Sequence, residues 1–153
     1  MSACTAIGID IDGTITEDPE FFSALARKLR LNGTVVHVVT ARGAECRQET
    51  EEELFELDIE YDYLYLLPPM EVAIARCPHE DLEWFLRHFW LKVEYAQQHQ
   101  LTHFIDDNER VLQLFNLYAP EIKAIPVIER HSLVCEDSNR SLSARLMLQH
   151  EKP

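Results

Sequence analysis

The sequence predicts an α/β domain in which a parallel sheet is flanked by helices. Three observations carry this prediction. Apolar runs of strand length end three times in polar residues: Ile7-Gly8-Ile9 before Asp10, Thr34 to Val39 before Thr40, and Thr102 to Ile105 before Asp106. Between the first two lies a helical stretch with short joints, which implies a right-handed crossover and a parallel strand pair. The chain has 153 residues, 46% hydrophobic and 27% charged, enough for one domain with a real core and little more.

The elements follow in order. Pro19 to Leu31 reads as the first helix, with Asp18 as N-cap, Pro19 at N1 and a stripe of Phe22, Leu25, Ala26 and Leu29. Asn32-Gly33 stops it. Ala44 to about Leu57 reads as the second helix, and its run of Glu45, Glu49, Glu51, Glu52, Glu53 and Glu56 as a solvated face. Tyr61 to Leu67 is the third strand, halted by Pro68-Pro69. Residues 68–91 are hard to read: Pro78 could open a helix through Trp90, whose large aromatics pack either as core or as an exposed patch. Asn108 to Tyr118 is helical. Ile122 to Ile128 is a last short strand that Pro126 places near an edge, and Ser141 to His150 is a candidate tail helix. A single domain over 1–153 is expected, with room for at most a small lid near 68–91.

The chemistry concentrates in Asp10-Ile11-Asp12-Gly13-Thr14. On a strand, side chains two apart point the same way, so Asp10 and Asp12 are expected to share one small volume at the strand's carboxyl end. Carboxylates that close need a cation or a shared proton. Mg²⁺ suits them, since it takes hard oxygen ligands and substrate phosphate. Thr40 and Asp106-Asp107 end the two other strands, and Lys92 is the only lysine between them.

The order Asp-x-Asp-Gly-Thr, then Thr after a strand, then Lys, then Asp-Asp after a strand resembles the haloacid dehalogenase-like hydrolase superfamily. The resemblance runs from Ile7 to Asp107, about two thirds of the chain. It implies a Rossmann-like sheet and a Mg²⁺-dependent phosphomonoesterase. Asp10 would be the nucleophile that forms an aspartyl-phosphate, and Asp12 the general acid and then the base. Mg²⁺ would be held by Asp10, the backbone carbonyl of Asp12 and Asp106, with Asp107 acting through water or holding Lys92. Thr40 and Lys92 would bind the phosphoryl group, and Arg42 would meet substrate or stay solvated. The short spacings on either side of Thr40 exclude a large cap domain. The superfamily's minimal-cap members have open sites.

Other features narrow the class. A net charge of −13 disfavours nucleic acid as a partner, and the small phosphorylated metabolite or nucleotide expected as substrate is what the resemblance implies. No segment has the apolar length of a membrane span, and no secretory pattern opens the chain, so a cytoplasmic location is expected. Cys4, Cys46, Cys77 and Cys135 read as reduced thiols. Cys77-Pro78-His79 lacks the further ligands a zinc site needs. His37, within a β-branched run, reads as a hydrogen-bonded core residue rather than a catalyst. The segment Trp84 to Trp90 is expected to form either a small lid or a homodimer contact. The competing readings are a phospho-accepting signalling or binding protein and a catalytically inactive scaffold that keeps the fold.

Overall fold

The computed structural model describes residues 4–127. Five strands form one sheet, all parallel, in the order β3-β2-β1-β4-β5. They are β1 (Ala6–Ile9), β2 (Val35–Gly43), β3 (Tyr63–Leu67), β4 (His103–Asp106) and β5 (Lys123–Pro126). Six α-helices join them: α1 (Pro19–Leu31), α2 (Arg47–Glu56), α3 (Met70–Arg76), α4 (Trp84–Arg87), α5 (Trp90–Gln98) and α6 (Glu109–Tyr118).

The core has two halves, one on each face of the sheet. Period-2 alternation sends Ile7, Ile9, Val36, Val38 and Ile105 to one face, against Phe22, Leu25 and Leu29 of α1 and Leu54 of α2. Ala6, Val39 and Phe104 face the other way, toward Leu91, Val93 and Ala96 of α5 and Val111, Leu114 and Phe115 of α6. Because both faces are covered, the inner strands read as apolar runs rather than as alternating ones. Gly8 is required on the second face, since a Cβ there would run into the Phe104 ring.

α1 matches its expected bounds, with Asp18 accepting from the Phe21 N–H. Other elements depart from expectation. β2 runs past Thr40 to Gly43, with a register shift between the two. A short 3-10 turn over Ala44–Cys46 precedes α2, which therefore starts at Arg47. Residues 78–90 do not form one helix. Residues 68–91 instead hold α3, a turn, the single-turn α4 and the start of α5, and α5 is buried nearly all round. Trp90 is buried against His79 and Tyr118, whereas Trp84 is 61% exposed. β5 is an edge strand that Pro126 can end without losing an inner ladder bond. Ile128, Cys135 and the candidate helix 141–150 lie outside the described residues.

Candidate active site

The strand order reverses between β1 and β4, because β1 to β3 build outward on one side and β4 and β5 on the other. In open α/β sheets, the crevice at the carboxyl end of such a switch point is where ligands bind. Asp10 follows β1 and Asp106 ends β4, so both flank this crevice. The ladder continues one step past β1, with the Asp10 N–H donating to the Ile105 carbonyl at 3.0 Å. Asp10 thus keeps the parity of Ala6 and Gly8, and Asp106 that of Phe104. Both carboxylates are turned to the face that α5 covers.

Lys92, in the first turn of α5, meets them there. Its Nζ donates to Asp10 Oδ1 at 2.9 Å and to Asp106 Oδ2 at 2.8 Å, and all three side chains are buried. The expectation that Asp107 holds Lys92 is corrected: Asp106 does, and Asp107 is exposed beside the crevice. Asp106 Oδ1 also accepts from the Asn108 N–H at 2.9 Å, while Asn108 caps α6 by accepting from the Arg110 N–H.

Burial raises Asp10 to about 7, with Lys92 pulling down and Asp106 pushing up. Burial likewise raises Asp106. Burial alone would lower Lys92, but the two carboxylates outweigh it and hold the ammonium charged. Ligand oxygens of Asp10, Asp106 and Asp107 all lie within 4.8 Å of one another. Three carboxylates against one ammonium leave two formal negative charges in a shared volume. Hard oxygen donors with that surplus fit a divalent cation such as Mg²⁺.

Asp12 stands apart from this group. The chain leaves the strand at Asp10 and turns, so the strand rule that would align Asp12 with it does not apply. The Asp12 carboxylate instead takes both arms of Arg42, Nε to Oδ2 at 2.9 Å and Nη2 to Oδ1 at 2.8 Å. That hydrogen bonding outweighs partial burial and lowers Asp12. Arg42 is therefore not a solvated side chain. It is also held by Glu53 at 2.5 Å and by the Thr50 hydroxyl at 3.4 Å, which withdraws Glu53 from the solvated face of α2. Thr40 is fully buried, and its Oγ1 accepts from the Arg42 N–H at 3.2 Å. The pairing of Ile9 with Val38 sets Thr40 beside the Asp10–Asp12 loop.

Two further residues complete the cluster. The fully buried Thr14 sets its hydroxyl 3.1 Å from Asp10 Oδ2 and 3.3 Å from Asp107 Oδ1, so one O–H is shared between two acids. Gly13 has φ +80°, and a Cβ there would collide with the Asp107 carboxylate. Both residues lie inside the Asp-x-Asp-Gly-Thr segment, so the signal for them was present in the motif. Glu53 carried no such signal, because its role arises only when α2 packs beside Arg42. Of the other candidates, His37 Nδ1 lies 2.8 Å from the Tyr95 hydroxyl in the core, and Cys77 Sγ is 3.9 Å from the His79 carbonyl, with no metal group around it among the described residues.

No protein-family model and no curated protein sequence matches the chain. Solved structures do. A chain of the Pnkp1/Rnl/Hen1 RNA repair complex aligns with a TM-score of 0.58 at 16% identity, over 83% of this chain and 43% of that one. A second structure of the Pnkp1/Rnl/Hen1 complex gives the same score over 47% of its chain, so this chain spans less than half the length of these neighbours. The core domain of a putative phosphoglycolate phosphatase from Streptococcus pneumoniae TIGR4 aligns at 0.51 and 12% identity, over 92% of this chain and 98% of that one. Among the described residues no helix is long and apolar enough to cross a membrane. The strand order, the acids at its switch point and these likenesses give the chain the haloacid dehalogenase-like fold.

Proposed function

We propose that the chain is a phosphomonoesterase acting on a small phosphorylated substrate, with Asp10 as nucleophile. One observation carries the proposal: a buried acid pair at the sheet's switch point, bridged by a buried lysine and joined by a third, exposed acid. A nucleophilic carboxylate must be ionised, yet burial raises Asp10 to about 7. A cation beside it would reverse that shift. Asp10, Asp106 and Asp107, with the backbone carbonyl of Asp12, would hold Mg²⁺, which when bound offsets the repulsion between carboxylate and phosphate.

The remaining steps belong to the chain's own groups. A carboxylate oxygen of Asp10 attacks phosphorus in line, forming an O–P bond as the ester O–P bond breaks. Asp12 gives its proton to the leaving oxygen and later takes one from the water that hydrolyses the aspartyl-phosphate. Lys92 and the Thr40 hydroxyl hold the phosphoryl oxygens. Asp12 can carry a proton only when Arg42 releases it, and an arriving phosphoryl group offers Arg42 an alternative bidentate partner.

The test is phosphate release from p-nitrophenyl phosphate with Mg²⁺, followed by acid-quenched single turnover with radiolabelled phosphate ester. Label should remain on the protein and be absent from Asp10→Asn. A protein that is labelled once but releases no phosphate is a phospho-acceptor instead. A protein that neither turns over nor takes label across a panel of phosphorylated metabolites is a scaffold.

A further inference from the structure

Arg42 lies near the end of β2, where the pairing with β3 shifts register, and its side chain joins two parts of the fold. The two edges of its guanidinium have different partners. Nε and Nη2 form the fork that holds Asp12, on the loop after β1. Nη1 points the other way, to Glu53 Oε2 at 2.5 Å and the Thr50 hydroxyl at 3.4 Å, both on α2.

The two acids are not equivalent. The Asp12 side chain is 63% exposed, whereas that of Arg42 is 20% exposed and that of Glu53 38%. Glu53 is carried by a helix that the core fixes. Thr50 and Leu54, on the same turn of α2, are fully buried, and Leu54 belongs to the half of the core that α1 covers. Thr50 and Glu53 are three residues apart on the helix and so face the same way. The Asp12 edge of the guanidinium is therefore the edge whose partner can change, and the Glu53 edge is the one that stays.

Such an exchange is what the proposed reaction needs, since phosphoryl oxygens take the fork as Asp12 leaves it. An arginine released from its only acid regains its rotamers, and binding would have to order it again. An anchor at Nη1 removes that cost, because the fork keeps its place while its partner changes. The anchor's charge works in the opposite sense, since a carboxylate offsets the arginine's pull on an anion. What Glu53 supplies is position rather than attraction.

We infer that Glu53 is a positioning residue of the site, which anchors Arg42 through Nη1 so that the Nε–Nη2 fork stays presented to the phosphoryl group of the substrate once Asp12 has left it. This rests on the phosphomonoesterase reading above and adds to it a residue of α2 that acts through Arg42 alone.

The test separates position from charge. Glu53→Ala removes the anchor, while Glu53→Gln keeps an oxygen that accepts from Nη1 and loses the charge. With p-nitrophenyl phosphate and Mg²⁺, Glu53→Ala should raise KM about tenfold, the size of one charge-assisted hydrogen bond, and change kcat much less. Glu53→Gln should bring KM back to within about twofold of wild type. In an Arg42→Ala background, Glu53→Ala should have no further effect, because the anchor then has nothing to hold. Equal increases of KM in the Ala and Gln variants would overturn the inference, and so would additive effects of Arg42→Ala and Glu53→Ala.

A second readout does not depend on turnover. In Asp12→Ala the fork has lost its acid. The heteronuclear Overhauser effect of the Arg42 Nε–H, recorded on isotope-labelled protein in mildly acidic buffer and identified by its loss from Arg42→Ala, should still be that of a rigid group. Adding Glu53→Ala should turn it into that of a mobile one. This pattern in a protein that hydrolyses no phosphate ester would keep the anchor and overturn the phosphatase reading. An Arg42 that is mobile in Asp12→Ala with Glu53 in place, or rigid without Glu53, would overturn the anchor.

Discussion

Arg42 holds Asp12 in a two-armed ion pair, with nitrogen–oxygen distances of 2.8 and 2.9 Å. The pair lowers Asp12 and so keeps it deprotonated in the free protein, although its proposed first task is to donate a proton. Activity on an ester with a poor leaving group should therefore fall as pH rises through the Asp12 pKa. Arg42→Ala removes the group that lowers it, and the alkaline limb of kcat/KM should move to higher pH. With p-nitrophenyl phosphate, whose leaving group needs no proton, the limb should stay where it is. Paired pH–rate profiles on an alkyl and an aryl ester check this. Equal shifts on both esters would remove Asp12 from the acid role.

Among the described residues Asp10 is the one acid that touches both Lys92 and Thr14. Asp10→Asn keeps the shape, with its amide oxygen accepting from Lys92 and its NH2 donating to the Thr14 hydroxyl, but it cannot form the acyl phosphate. Turnover should fall below about one per cent of wild type, while the circular dichroism spectrum stays unchanged. Activity of several per cent in a folded variant would move the nucleophile elsewhere.

Much of this site is legible from the chain because strands and site coincide. Strands covered on both faces must be apolar, so a polar residue ending such a run stands out, and Asp10, Thr40 and Asp106 all do. α1 is legible for the opposite reason: one face is wet, and its apolar stripe has the helical period. α5 has no wet face over Trp90 to Val93, since Trp90, Leu91, Lys92 and Val93 are all buried, so period alone cannot announce a helix there. A buried lysine adds to the confusion until its two acid partners are seen. The direction of Asp12 depends on the residue at which the β1 ladder ends, and the partners of Arg42 lie 30 residues before it and 11 after it. No local pattern encodes contacts of that kind.

His37 offers a test of the core that leaves the site untouched. Its ring meets the Tyr95 hydroxyl and stacks on Tyr63, with His99 nearby at 5.5 Å. Burial, helped by the nearby His99 and opposed by Asp62, lowers its pKa to about 4. The unfolded chain binds this proton near the ordinary histidine value of about 6.5. Stability from this group is therefore complete above that value, is lost as pH falls from about 6.5 to about 4, and levels off below. Between pH 7.5 and 5 the loss is about 2 kcal/mol at most. His37→Gln keeps a hydrogen-bonding group but does not titrate. Urea unfolding at the two pH values should give a smaller difference for the variant by about that amount. The same difference in both proteins would assign the acid sensitivity to other groups.

The surplus negative charge around Lys92 makes metal binding and stability interdependent. Removing EDTA-accessible cations should stop turnover, and Mg²⁺ should restore it. Asp106→Ala should weaken Mg²⁺ binding far more than Glu52→Ala does, because Glu52 is an exposed side chain of α2 outside the acid group. Lys92→Met sharpens the argument. It leaves Asp10 and Asp106 buried without their shared cation, a change that costs about 3–5 kcal/mol when one partner of a buried ion pair is lost. The metal-free variant should melt well below the wild type, and Mg²⁺ should raise its melting temperature more than it raises that of the wild type, since added cation replaces the missing charge. Turnover should stay low even so, because the proposed phosphoryl clamp would be gone. Calorimetric melts with and without Mg²⁺ measure both effects. A Lys92→Met protein as stable as the wild type, or one that Mg²⁺ does not stabilise, would mean that the acids carry protons rather than attract a cation.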